Sequence, residues 1–194
     1  IILSFMQPGP GENRIAFQYC GKTYYANRGM IEDYDRTMRF CAERGIVVSA
    51  IILIPKAGGF GGDLGRIFMH PDCDPKGIFT MANLTCAEGL EYYAAALDFL
   101  AERYSREDGE FGRVHHWIVH NEVDAGWVWT NMGDKPLSLY MDVYHNSMRV
   151  AHLIARSYDA EAKAFVSLTH QWVWSYDAHF YGSKAVLEAL AASS

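Results

Sequence analysis

The stretch HHWIVHNEVDAGW, residues 115–127, runs from an apolar core, Trp117-Ile118-Val119, directly into an amide beside a carboxylate, Asn121 and Glu122. Side by side, those two groups can hold a hydroxyl and move a proton: the amide both donates and accepts, and a carboxyl group serves as acid or base. The plainer reading is that an apolar strand ends here and polar residues mark its turn. What separates the two readings is whether other residues able to serve the same chemistry fall at equivalent places in the chain. His170, in LTHQW, closes a second apolar run. Aromatic residues Phe60, Trp127, Trp129, Trp172, Trp174, Tyr176 and Tyr181 gather in the segments that follow such runs. Aromatic side chains offer flat apolar faces and, in Trp and Tyr, a polar edge, and Trp127 and Trp172 lie nearest the run ends. For any single aromatic, ordinary packing is the better reading; as a group in these segments they lean toward a binding role.

Two other stretches invite chemistry and fit it poorly. GGFGGDLGR lacks the closing Gly-Lys-Ser/Thr of a phosphate loop and stands about twenty residues from the next helix, so it reads as a flexible substrate loop. HPDCDP offers His70, Asp72, Cys73 and Asp74, but in no established metal-ligand spacing, and no metal or cofactor is expected. The four cysteines form no C-x-x-C pair. Cys73 and Cys86 either pair under oxidising conditions or stay free, with free thiols favoured.

Composition bounds the class. The chain has 194 residues, half of them apolar and 21% charged, which is enough apolar material for a sizeable core. A net charge of -6 with no Lys/Arg stripe argues against a nucleic-acid partner. The longest apolar run, residues 46–55, is about half a bilayer span, so no membrane partner is expected either.

The elements that must position these residues alternate. Residues 1–5 read as a short strand and residues 15–26 as a hairpin around Gly21-Lys22. Residues 31–44 form a helix with Ile31, Tyr34, Met38 and Cys41 on one face, closed by Gly45. Residues 46–55, IVVSAIILIP, have the continuous β-branched character of a strand buried on both faces of a parallel sheet. A helix of about twenty residues capped by Thr85 follows. Then come a strand over 113–120, a helix over 137–159, a strand over 162–172 and a helix over 183–193. Such alternation indicates βα units and parallel pairing, in an open doubly wound sheet or a barrel. Long aromatic and polar connections after the strands, and short ones before them, favour the barrel with its site at the strands' carboxyl ends.

WIVHNE in this setting resembles the fourth strand of the clan A glycoside hydrolases, and the GKTYYAN hairpin with the HNE ending is also similar to an uncharacterised bacterial family of glycosidase-like barrels. The resemblance implies an α/β fold, a partial (β/α)8 TIM barrel comprising about strands 2 to 5. Residues 1–194 would then be part of a single catalytic domain cut at both ends. It also implies a glycoside hydrolase acting on an oligo- or polysaccharide, with Glu122 as catalytic acid/base and Asn121 hydrogen-bonding a sugar hydroxyl. His170, Trp172 and Trp127 would be further substrate-binding residues. A retaining enzyme of this kind needs a second carboxylate about 5 Å across the site, which the resemblance places beyond this chain. Secretion would suit such an activity. A carbohydrate-binding barrel without catalysis is the alternative, and a metal-dependent hydrolase is weaker because only His170 has a ligand's placement.

Overall fold

The computed structural model describes residues 1–193. Its elements are β1 (Met6–Gln7), β2 (Arg14–Tyr19), β3 (Lys22–Asn27), α1 (Arg28–Ala42), β4 (Ser49–Ile52) and α2 (Leu64–Phe68). These are followed by α3 (Ala87–Tyr104), β5 (His116–Val119), α4 (Gly126–Trp129), α5 (Leu137–Tyr158), β6 (Lys163–Phe165) and α6 (Ser183–Ala192). Two sheets of three strands result. One is antiparallel in the order β1-β3-β2, the other parallel in the order β4-β5-β6.

The three apolar runs expected to be neighbouring parallel strands are so. Ile52 stands opposite Val119, and Trp117 opposite Ala164. The barrel is not found. The described parallel strands are only four, four and three residues long, and the β-forming residues of the first third enter a separate antiparallel sheet. Residues 1–5 leave the extended path at Leu3, where Leu3–Phe5 forms a 3-10 turn. Before that turn Ile2 bridges Leu53 in parallel and Leu3 N–H donates to the Leu53 carbonyl at 2.9 Å. Met6–Gln7 then pairs with β3, so the hairpin is the centre of a sheet rather than an excursion from a loop. The protein is a mixed α/β fold.

The long runs also yield shorter strands than their composition predicts. Ile46 and Val47 are exposed ahead of β4, and β6 ends at Phe165 although apolar residues continue to Leu168. Because rung partners point to the same face of a sheet, Ala50, Ile52, Trp117 and Val119 share one face, and all are buried. The opposite face, with Ile51 and Ile118, is only half covered, and Phe165 on it is exposed.

Helices α3 and α5 pack on one another, and α5 also packs on β5 and β6. Burial at Tyr140, Tyr144, Ser147, Ala151 and Ala155 follows the i, i+4, i+7 stripe of an amphipathic helix. Helix α3 is buried through Tyr93-Ala94-Ala95-Ala96-Leu97, and the small alanines let its neighbours approach. Its cap is the Cys86 thiol, which accepts from Gly89 N–H at 3.4 Å; Thr85, the expected cap, hydrogen-bonds Asn83 instead. All four cysteines are free. The glycine-rich stretch is not a loose loop, because Phe60, Leu64 and Phe68 are core residues and the Phe60 and Phe68 rings stack at 4.8 Å. Among the described residues, no helix is long and apolar enough to cross a membrane.

One charged group sits deep in this packing. Asp35, on the buried stripe of α1, accepts from Arg103 Nε at 2.8 Å and Arg103 Nη2 at 2.7 Å, and from the Tyr104 hydroxyl at 3.1 Å. This forked pair bolts α1 to the end of α3. Removing one member of a buried pair strands the other's charge, which typically costs about 3–5 kcal/mol. Asp35→Ala should therefore lower stability by about 3 kcal/mol, read as a reduced urea midpoint at unchanged m value. A loss below about 1 kcal/mol would show that Arg103 recovers its solvation without Asp35.

Candidate functional site

At its carboxyl end β5 leaves the sheet through an abrupt turn. His120 and Glu122 both have left-handed backbones, with φ of 62° and 36°, conformations in which non-glycine residues are uncommon. His120 N–H still donates to the Ile52 carbonyl at 3.1 Å, and Val123 N–H to the Ser167 carbonyl at 2.9 Å. The strained residues are thus gripped between β4 and the segment that continues β6. His120 is turned away from the strand end into the helical layer. Fully buried, its Nε2 lies 3.0 Å from the Ser147 hydroxyl of α5, which is itself 2.9 Å from the Tyr93 hydroxyl of α3.

With His120 facing inward, Asn121 and Glu122 are presented half-buried at the strand's end. Ser167 fixes both: its hydroxyl accepts from Glu122 N–H at 3.3 Å and donates to Asn121 Oδ1 at 3.2 Å. Because the hydroxyl proton goes to Oδ1, the Asn121 amide is oriented with Nδ2 outward. The carboxylate of Glu122 accepts from the Trp129 indole N–H at 2.9 Å through Oε2. Among the described residues, neither Asn121 Nδ2 nor Glu122 Oε1 has a hydrogen-bond partner, so one donor and one acceptor remain open on consecutive residues. Trp129 is held in turn by Phe79, whose ring stacks on it at 5.3 Å and 16°.

Asp124, two residues on, is a carboxylate of the opposite kind. It is buried and accepts from Thr169 N–H at 2.9 Å, from the Thr169 hydroxyl, and from the Ser183 hydroxyl at 2.7 Å. It ties the turn after β5 to the segment after β6 and to the start of α6. Tyr140, beneath, donates from its hydroxyl to the Val123 carbonyl at 2.6 Å, and burial pushes its ionisation far above the usual tyrosine range.

The remaining expected site residues are placed elsewhere. Trp127 points away from Glu122 and stacks on His179 at 4.2 Å and 25°. His179 bonds Asp134 at 2.6 Å through Nδ1, and that bond raises its pKa. His170 and Trp172 lie exposed in the segment after β6, and neither makes a hydrogen bond or ring contact with Asn121 or Glu122. The geometry therefore joins Asn121 and Glu122 and leaves Trp127, His170 and Trp172 outside that cluster. His70 is buried, accepting from Asp72 N–H at 3.2 Å, and burial lowers its pKa. Among the described residues, no group of three or more His, Cys, Asp or Glu side chains is placed to hold a metal. Ser167 and Phe79 were not singled out from sequence, and Trp129 was named there only as one of the group of aromatics. Ser167 was signalled only by its alternation with Phe165 and Thr169. Trp129 required knowing that Gly126–Trp129 is a helical turn, and Phe79 carried no signal at all.

Fold and site together define a mixed α/β protein with a strained strand end that exposes an amide and a carboxylate. Over its whole length, residues 1–194, the chain matches a family of unknown function, DUF5722, and it belongs to that family. No curated protein and no solved structure matches it.

The buried His120 gives the site a measurable pH signature. Burial lowers its pKa from 6.5 to about 4. The unfolded chain therefore binds this proton first. His120's contribution to stability is complete above pH 6.5 and is lost as pH falls towards 4, by up to roughly 3 kcal/mol. His120→Asn, which tolerates a left-handed backbone and does not titrate, should flatten the acid slope of stability in that window relative to the parent. An unchanged slope would place His120's titration elsewhere.

Proposed function

We propose that this chain carries the proton-transferring part of a glycoside hydrolase site, with Glu122 as acid/base and Asn121 as the residue that holds a sugar hydroxyl. The observation that carries the reading is the pair of open polar atoms, Glu122 Oε1 and Asn121 Nδ2, on consecutive residues at a strand's end whose side chains are oriented by Ser167 and Trp129. Strained backbone of this kind costs free energy and clusters where function requires a particular side-chain placement. In this reading Glu122 gives its proton to the glycosidic oxygen as the bond breaks and afterwards takes one from the attacking water. Asn121 Nδ2 bonds a ring hydroxyl whose interaction strengthens as positive charge develops on the sugar.

Surface aromatics support a carbohydrate ligand. Trp172, Trp174 and Tyr176, in the segment after β6, are 55%, 81% and 83% exposed. Exposed rings of this kind can stack on the apolar face of a sugar. The nucleophilic carboxylate that a retaining mechanism requires is, in this reading, supplied from outside these residues, since Asp124 is buried and engaged by Thr169 and Ser183. That engagement is also what favours the second reading, a carbohydrate binder without catalysis, in which Glu122 only accepts from a hydroxyl.

Glu122→Gln keeps the size of the side chain and removes its proton. In the protein that carries this chain, turnover of unactivated oligosaccharides should fall by roughly 10²–10⁴-fold while binding survives. An aryl glycoside with a good leaving group hardly needs protonation, so its cleavage step should be spared. Loss should then appear in the hydrolysis of the intermediate, with partial rescue by azide. Wild-type turnover by the Gln variant would eliminate the acid/base role, and oligosaccharide binding with no turnover by the parent would establish the second reading.

A further inference from the structure

Helices α5 and α6 and strand β6 border an open cavity of about 400 Å³ lined by His145, Met148, Arg149, His152, Ala164 and Leu190, with Arg149 exposed and the two histidines half-buried. The spacing 145, 149, 152 puts two imidazoles and a guanidinium on one stripe of α5. None of the three makes a hydrogen bond or ion pair with any described residue. Arg149 differs in this from Arg103, Arg106, Arg113, Lys135 and Lys184, each of which engages a carboxylate. No carboxylate lines the cavity, although acids outnumber Lys and Arg by 23 to 17. Met148, Ala164 and Leu190 supply an apolar wall.

We propose that this cavity is a binding site for a small organic anion, a phosphate or carboxylate head on an apolar body. Arg149 binds the head with its planar fork of donors, and His145 and His152 flank it. The apolar wall of Met148, Ala164 and Leu190 beside Arg149 suits a ligand that has an apolar body as well as an anionic head. A guanidinium attached to a flexible side chain with no internal partner is ready to bind an anion without first breaking an ion pair, so its desolvation is the main cost of binding. This site is independent of Glu122 and of the glycosidase reading.

The test uses phenyl phosphate and benzoate as probes, with phenol and inorganic phosphate as controls. Saturable shifts of the His145 and His152 imidazole resonances should appear with at least one of the two anionic probes. Its affinity should be about tenfold or more above those of phenol and inorganic phosphate, a difference of about 1.4 kcal/mol. Whichever probe binds more tightly identifies the head group. Arg149→Gln should weaken that binding by about tenfold or more at unchanged Tm. Absence of saturable shifts with both anions, equal binding of phenol, or unchanged affinity in Arg149→Gln would each overturn the site.

Discussion

The structure turns on how β5 ends. Three consecutive residues leave a parallel sheet while its hydrogen bonding continues on both sides, from His120 N–H to Ile52 and from Val123 N–H to Ser167. Two of the three, His120 and Glu122, can meet both demands only with left-handed backbones. Each such residue costs of order 1–3 kcal/mol and persists only where the surroundings over-determine it. Here the surroundings are the helical layer. His120 is locked against Ser147 and Tyr93, Tyr144 donates to the Val119 carbonyl, and Tyr140 donates to the Val123 carbonyl. The packing of α3 and α5 is therefore what holds Asn121 and Glu122 out of regular strand geometry and at the surface.

The same logic orders the stability of the molecule. The Asp35 pair sits at the far end of α3 and joins α1 to the helix that supplies Tyr93. Weakening the bolt loosens the layer against which His120 rests. The segment from Ser167 to Gly182 lacks regular secondary structure and is held through buried Asp124, through Tyr181 against Tyr140 and the Lys135 carbonyl, and through the stacking of His179 on Trp127. That segment also carries the most exposed aromatics, so the region best suited to adapt to a ligand is attached to the region least able to move.

How much of this was legible in the sequence follows from the range of the forces involved. Helices α1, α3, α5 and α6 were marked by periodicity and by Gly45, which are local signals. The β2–β3 hairpin was marked by Gly21 between aromatic runs. Parallel pairing of β4, β5 and β6 followed from the intervening helices. Closure into a barrel was not a local property. It was inferred from loop asymmetry and from resemblance, and the structure instead commits residues 6–27 to an antiparallel sheet. At the site, Asn121 and Glu122 were readable because a strand delivers them. Ser167 was not, nor was the choice of Trp129 over Trp127 as the partner of Glu122, because these depend on register and on a four-residue helical turn that no composition rule marks. Trp127 and Trp129, two residues apart on that turn, diverge by roughly 200°, and an aromatic-count argument has no means of choosing between them.

Glu122 and Asp124 show how placement sorts two neighbouring carboxylates into different work. Asp124 accepts three hydrogen bonds from groups on two segments and is removed from solvent, so it serves as a joint of the fold. Glu122 accepts one, from an indole N–H that also fixes its direction, and keeps its second oxygen open. A group whose acceptor capacity is filled by the fold is a structural anion; a group oriented by a single bond and otherwise open can exchange a proton without cost to its neighbours. In the glycosidase reading this difference, rather than distance along the chain, is why Glu122 and not Asp124 is the acid/base. It is also why Trp129 matters more to Glu122 than the nearer aromatic, Trp127, whose face is already covered by His179.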